Sequence, residues 1–200
     1  MATITGPHAL RADAQRNHDR ILVAAREAFA EVGYEVSIEE IARRAGVGAA
    51  TVYRRFPNKE LLLRAIVDTR LAELETAIGD ALAQADPWDG LLAGMRAVVE
   101  IQAANLVLIQ VLEDVGVLPA LKGELEARVF APLAQMFAAA QARGQIRRDL
   151  DPAELPMLIG MVAASAKHHD DCERSVNWER YLTLLTDALR TPAPSMLPAR

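Results

Sequence analysis

Along this chain apolar positions recur at intervals of three and four, the period of helices packed on one side. In the first such run, over 17–33, Ile21, Ala24, Ala25, Ala28 and Phe29 share one face, and Gly33 stands where a helix stop is expected. A second run, SIEEIARRA, places Ile38, Ile41, Ala42 and Ala45 at i, i+3, i+4 and i+7. Its Ser37 and Glu40 have capping-box spacing, the serine oxygen accepting from the first turn and the glutamate reaching back. Gly46 follows, free to take a left-handed turn, and Val47 is placed to plug the inside of that turn. A third short helix ends at Phe56, with Val52 and Phe56 facing inward and Thr51, Arg54 and Arg55 outward; Pro57 stops it.

Asn58 is the expected N-cap of a long helix reaching about residue 84, with Val67, Leu71, Leu74, Ile78 and Leu82 in helical period. DPWDG, at 86–90, breaks it. Further helices are predicted over 91–112 with an interruption near Asn105, then over 119–143, 152–167 and 176–189. Pro132 should kink the second of these and Gly144 end it, while Asp151 and Pro152 form a cap and a first helical residue. The first ten residues and 191–200 are expected to lack structure. The fold class is all-α. A head over 1–65, with the turn motif at 37–56, joins a helical body over 66–190 rigidly through the helix that begins at Asn58, since no flexible linker intervenes.

Composition sharpens this picture only locally. An apolar fraction of 52 % with 4 % aromatic residues makes the core mostly Ala, Leu and Val, which favours helices. No apolar run reaches the ~18 to 20 residues of a membrane span, and the start MATITGPHAL lacks a signal-peptide core, so a cytoplasmic protein is expected. A single cysteine, Cys172, excludes an internal disulfide. The net charge is −5, yet residues 1–65 carry ten basic and eight acidic side chains, leaving the excess of acid to the body. A mildly basic head permits local anion binding while the body stays clear of a polyanion.

Two short helices joined by a glycine-bearing turn describe a helix-turn-helix, whose second helix fits the major groove of DNA. Arginine suits guanine edges, and Thr and Tyr hydroxyls suit phosphate oxygens. Lys59 sits in the first turn of its helix, where the helix dipole disfavours a cation unless an anion such as a phosphate is meant to sit there. On these pieces alone an ordinary helical hairpin with solvated cations explains the pattern equally well.

The longer stretch SIEEIARRAGVGAATVYRRFPNKELLLRAIV, preceded by ILVAAREAFAEVGY, resembles the DNA-binding head of the TetR family of bacterial transcriptional regulators. The likeness lies in the glycine-ended first helix, the IA and AGV of the turn, and the T-V-Y and F-P-N-K-E-L positions, and it covers roughly 19–67. It implies that Thr51, Tyr53 and Lys59 meet the phosphate backbone, that Ser37 falls where a backbone contact is often found, and that Arg54 and Arg55 reach bases as well as phosphates. Gly48, Ala49 and Ala50 depart from the family, which commonly has a Ser, a longer polar residue and a Gly there; Ala49 and Ala50 then suit thymine methyls or groove shape.

The resemblance further implies a body that binds a small effector and forms a two-fold dimer. The last two helices suit the dimer, with Leu155, Leu158, Ile159, Val162 and Ala166 on one stripe and Met157, Met161 and Ala164 on another. Gly160, Ala163 and Ala164 permit close approach, and Trp178, Tyr181, Leu182, Leu185 and Leu189 line the final helix. Trp88, Met95, Gln102, Asn105, Gln110, Glu113 and Asp114 lie on helices expected to line an apolar effector cavity. His168, His169, Asp170, Asp171 and Cys172 are the one cluster with metal-ligand chemistry, but adjacent ligands seldom close a tetrahedral site, so no metal is expected. Nor is any cofactor or enzymatic activity, for there is no phosphate loop or nucleophile elbow. The reading is a homodimeric repressor that binds a palindromic operator and is released by a small, mostly apolar effector. An activator, or a ligand-binding or catalytic helical protein with a remnant head, is the alternative.

Overall fold

The computed structural model describes residues 7–165, 178–191 and 197. Its helices are α1 Pro7–Val32, α2 Ile38–Ala45, α3 Ala49–Arg55, α4 Lys59–Leu82, α5 Pro87–Ala103, α6 Leu106–Asp114, the single turns α7 Val117–Ala120 and α8 Lys122–Leu125, α9 Ala131–Ala142, α10 Leu155–Ala164 and α11 Trp178–Leu189. Among the described residues the only β pairing is one antiparallel bridge, Ile146 to Arg190. No single described helix is long and apolar enough to cross a membrane.

The chain divides into two compact units. One comprises α1 to α3, the start of α4 as far as Thr69, and Val107–Pro119. Ile21, Ala25, Phe29, Ile41, Val52, Leu62 and Leu63 form its dry core, and Leu108, Val111 and Leu112 of α6 join that same core. The other unit gathers Leu71, Leu74 and Ile78 of α4 with Leu91, Met95 and Val99 of α5, Leu133 and Phe137 of α9, Ile159 of α10 and Leu182 of α11. One helix, α4, thus supplies residues to both cores.

Several expectations shift. The first helix starts at Pro7, inside the ten residues expected to be unstructured; Pro suits a first helical position, and a Gln15 to Asp19 hydrogen bond of 2.8 Å and an Arg16–Asp13 pair support the polar early turns. The break between α4 and α5 spans 83–86, so of DPWDG only Asp86 lies in it; its carboxylate accepts from Trp88 N at 3.0 Å and caps α5, with Pro87 as its first residue. Gly90 lies inside that helix. A Cβ there would stand 2.5 Å from the Ala81 carbonyl oxygen, so the glycine lets α5 touch the end of α4. The helix predicted over 119–143 is instead two single turns, a π-helical turn at Glu126–Phe130 and α9. Pro132 explains the π turn: its ring crowds the carbonyl four residues back, and the ladder widens so that Ala131 N donates to Glu126 O. The interruption at Asn105 is present, with its Nδ2 donating to Ile101 O at 2.6 Å.

In the body, Leu158 and Leu185 are half-buried against the intramolecular core, whereas Met157 and Met161 are 70 % and 65 % exposed. Trp88 and Met95 are buried in that core, while Gln110, Glu113 and Asp114 are exposed on α6. Thr191, in the tail expected to lack structure, donates its N–H to Gln145 O at 3.2 Å. His168, His169, Asp170, Asp171 and Cys172, with Ala166, lie outside the described residues, as do 1–6, 192–196 and 198–200.

Candidate nucleic-acid interface

The site is assembled from the α2–turn–α3 unit. Ser37 caps α2, its Oγ accepting from Glu40 N at 3.2 Å. The reciprocal half of the predicted capping box is missing. Glu40 turns away to Arg43 (Nε and Nη2 both at 2.7 Å) and Arg44 (Nε at 2.8 Å), because two guanidiniums one turn on offer charge-assisted bonds stronger than a backbone N–H. Those bonds hold the Glu40 carboxyl down at about 2. Arg44 also donates to Glu31 at 2.6 Å. The double arginine of α2 is therefore neutralised within the protein.

The turn closes as predicted. Gly46 is left-handed at φ 64°, with its N–H on Arg43 O, and Val47 N donates to Ala42 O at 3.0 Å. A Cβ at Gly46 would meet the Arg20 guanidinium at 2.5 Å, since Arg20 Nη2 lies over the turn and donates to Gly46 O at 3.3 Å. Gly48 then caps α3 without a side-chain bond, and Thr51 N uses Gly48 O at 2.8 Å instead.

Val52 and Phe56 are buried, which fixes the roll of α3. Ala50, Tyr53, Arg54 and Arg55 are exposed, and Ala49 and Thr51 are half-buried. Ala50, Tyr53 and Arg54 fall at i, i+3 and i+4 and so share a face. Among the described residues Arg54 has no hydrogen bond or ion pair. Arg55 Nε donates to His18 Nδ1 at 3.4 Å, and the His18 ring stacks on Phe56 with centroids 5.5 Å apart. Burial first, and the Arg55 guanidinium second, push the His18 imidazole below its ordinary value, in keeping with an accepting, neutral ring. The Tyr53 hydroxyl donates to Glu39 Oε1 at 3.1 Å, which raises the phenol above its ordinary value.

Lys59 departs from the argument made for it. Asn58 caps α4 through Leu61 N at 2.9 Å as expected, but the Lys59 ammonium is already held, donating to Tyr34 O at 2.7 Å and lying 4.8 Å from the centre of the Tyr34 ring. A cation in a first turn thus finds internal partners, and the dipole by itself no longer calls for an outside anion. Tyr34 is itself bound to Glu60 Oε1 at 2.5 Å, a bond that pushes its phenol up to about 12. An ammonium has three N–H donors, so the carbonyl bond uses only one of them.

The electrostatics sort the cations into two groups. Arg43 and Arg44 are cancelled by carboxylates. Arg20 and Arg55 lean on neutral acceptors and Arg54 on none, so these three have no carboxylate partner among the described residues, while Lys59 rests on a backbone carbonyl but also helps hold down the nearby Glu60 carboxyl. His18, Arg20 and Glu39 were not singled out from the sequence. No spacing rule links residues 18 or 20 to a turn more than twenty-five residues later.

Comparison with known proteins agrees with this geometry. Residues 21–66 match the family model described as bacterial regulatory proteins, tetR family. The crystal structure of a TetR transcription regulatory protein from Mycobacterium vanbaalenii is similar to this chain at 36 % identity, covering 91 % of this chain and 99 % of that one, with a TM-score of 0.67. That of a TetR transcriptional regulator from Streptomyces coelicolor is similar at 30 % identity, covering 88 % and 99 %, with a TM-score of 0.65. An HTH-type transcriptional regulator of Staphylococcus aureus is 30 % identical over 109 residues, which are 52 % of this chain and 56 % of that protein, so this match spans little more than half the relative's length.

Proposed function

Since the chain belongs to the TetR family of helix-turn-helix transcriptional regulators, we propose that it is a homodimeric repressor that binds a palindromic operator in the cytoplasm and leaves it when a small, mostly apolar effector binds. The observation that carries the DNA reading is the sorting of charge on the head. On α3, Arg54 has no partner among the described residues and Arg55 leans on a neutral imidazole, while the α2 pair is cancelled by carboxylates. Phosphates repay uncompensated charge most, because each one neutralised releases condensed counterions. In this reading Thr51, Tyr53, Lys59 and the Ser37 hydroxyl contact the backbone, Arg54 and Arg55 contact bases and phosphates, and Ala49 and Ala50 meet thymine methyls or groove shape.

Dimerisation is supported by the outer faces of α10 and α11. Met157, Gly160, Met161 and Ala164 lie at i, i+3, i+4 and i+7, with open space around Gly160, and Tyr181 and Leu184 are exposed on α11. Two-fold pairing sets the half-sites about one helical turn, ~34 to 36 Å, or a multiple of it apart. Effector release is supported by α4 supplying residues to both cores: a ligand that shifts its body end changes the spacing of the heads, and the coupling is reciprocal.

Selecting bound fragments from genomic DNA, then measuring binding against salt, tests the proposal. Expected are an inverted repeat, a steep loss of affinity with salt and a dimer in sedimentation. Binding with no salt dependence, or no bound fragment at all, refutes the DNA reading.

A further inference from the structure

The proposed interface places a carboxylate against the tyrosine proposed to meet a phosphate. Glu39, exposed in the first turn of α2, receives the Tyr53 hydroxyl at 3.1 Å. Tyr53 is 45 % exposed and is the residue proposed to donate to a phosphate. A phenol has one proton to donate, so it cannot serve a carboxylate and a phosphate together. Resting on the DNA reading above, we infer that Glu39 is a residue that sets overall DNA affinity: it occupies the Tyr53 hydroxyl in the free head, and DNA of any sequence must displace it.

Geometry makes the competition unavoidable. A phosphate oxygen taking over that hydroxyl at an ordinary ~2.7 Å lies within about 6 Å of Glu39 Oε1, inside the Debye length of ~10 Å at 0.1 M salt. Like charges at that range repel. The penalty falls on every duplex alike, because the phosphate backbone carries no sequence. An operator offsets it with base contacts from Arg54 and Arg55, whereas a mixed-sequence duplex has nothing to set against it. Glu39 therefore lowers affinity for operator and mixed-sequence DNA by the same factor, which limits overall occupancy of DNA, and it leaves the ratio between them to the base contacts. Glu40, its neighbour, does not share this role, since Arg43 and Arg44 cancel its charge.

The test compares wild type, Glu39→Gln, Glu39→Ala, Tyr53→Phe and the double variant Glu39→Ala/Tyr53→Phe on two probes: the operator duplex recovered by the genomic selection and a mixed-sequence duplex of equal length. Affinities are read across a salt series, with circular dichroism to verify folding. Removing one charge from the interface should raise affinity about five- to ten-fold per head on both probes at ~0.1 M salt and steepen the salt slope by about 0.9 per head. The gain from Glu39→Ala should shrink in the Tyr53→Phe background, because there is no hydroxyl left to free. Wild type that binds DNA with salt dependence, beside Glu39 variants with unchanged or weaker affinity, overturns the inference while leaving the DNA reading intact; strictly additive effects of the two positions overturn it too. A wild type that binds neither probe defeats the DNA reading itself.

Discussion

Replacing Lys59 with methionine separates two roles that its position confounds. The ammonium donates to Tyr34 O at 2.7 Å and lies over the Tyr34 ring, so it ties the segment after α1 to the start of α4. Methionine keeps the apolar stem but removes the charge and the donors. Loss of one charge-assisted bond and one partly exposed cation–π contact should cost about 1 to 2 kcal/mol of stability. For a chain of this length that is a fall in Tm of roughly 2 to 8 °C. A phosphate contact adds a second, independent signature. Each one contributes about 0.9 to the slope of log K against log salt, equivalent to ~8-fold in affinity between 1 M and 0.1 M salt. With two heads on one operator the slope should fall by about 1.8 and the affinity at 0.1 M by about 60-fold. Fluorescence anisotropy across 0.05 to 0.3 M salt would measure the slope, and thermal melts the stability. Tyr34→Leu is the control: it removes the ring beneath the ammonium but leaves the charge, so it should lower Tm without changing the slope. If Lys59→Met lowers Tm while its salt slope matches wild type, Lys59 is a tether only and its assignment to phosphate is wrong.

Other substitutions test the remaining steps. Met157→Lys with Met161→Lys, both on the exposed face of α10, should yield folded monomers in sedimentation; a dimer that survives both removes that face from the interface. Gly79→Ala, with nothing within 4 Å of the new methyl, should stabilise by up to ~1 kcal/mol through helix propensity, while Gly90→Ala should destabilise by roughly 1 to 2 kcal/mol net because its methyl meets the Ala81 carbonyl. Urea melts in which both glycines respond alike would refute that packing. Glu40 is held near 2 by Arg43 and Arg44, so the stability it lends is present above its unfolded value of about 4.5 and is lost as pH falls toward 2. Thermal melts of Glu40→Gln should therefore vary less with pH across that window than those of the wild type, and equal pH dependence would refute the pairing.

The helical character, the turn at Gly46 and the outward face of α3 were all legible in the sequence, because each depends on local periodicity or on one residue's backbone freedom. Ile38, Ile41, Ala42 and Ala45 repeat at a helix's own spacing, and burial of Val52 and Phe56 is enough to set the roll of a seven-residue helix. The family likeness rested on the same short-range pattern. Matters that depend on who meets whom at long range were not legible. Lys59 finding Tyr34, Arg55 leaning on His18 and Tyr53 resting on Glu39 join residues 14 to 37 positions apart. Nor does periodicity say which core an amphipathic helix serves: α6 reads like any body helix, yet Leu108, Val111 and Leu112 belong to the same core as Phe29 and Leu63. A local pattern determines that a face must be buried and a polar group satisfied. Only the tertiary structure, by bringing distant segments within a few ångströms, selects the partner that does it.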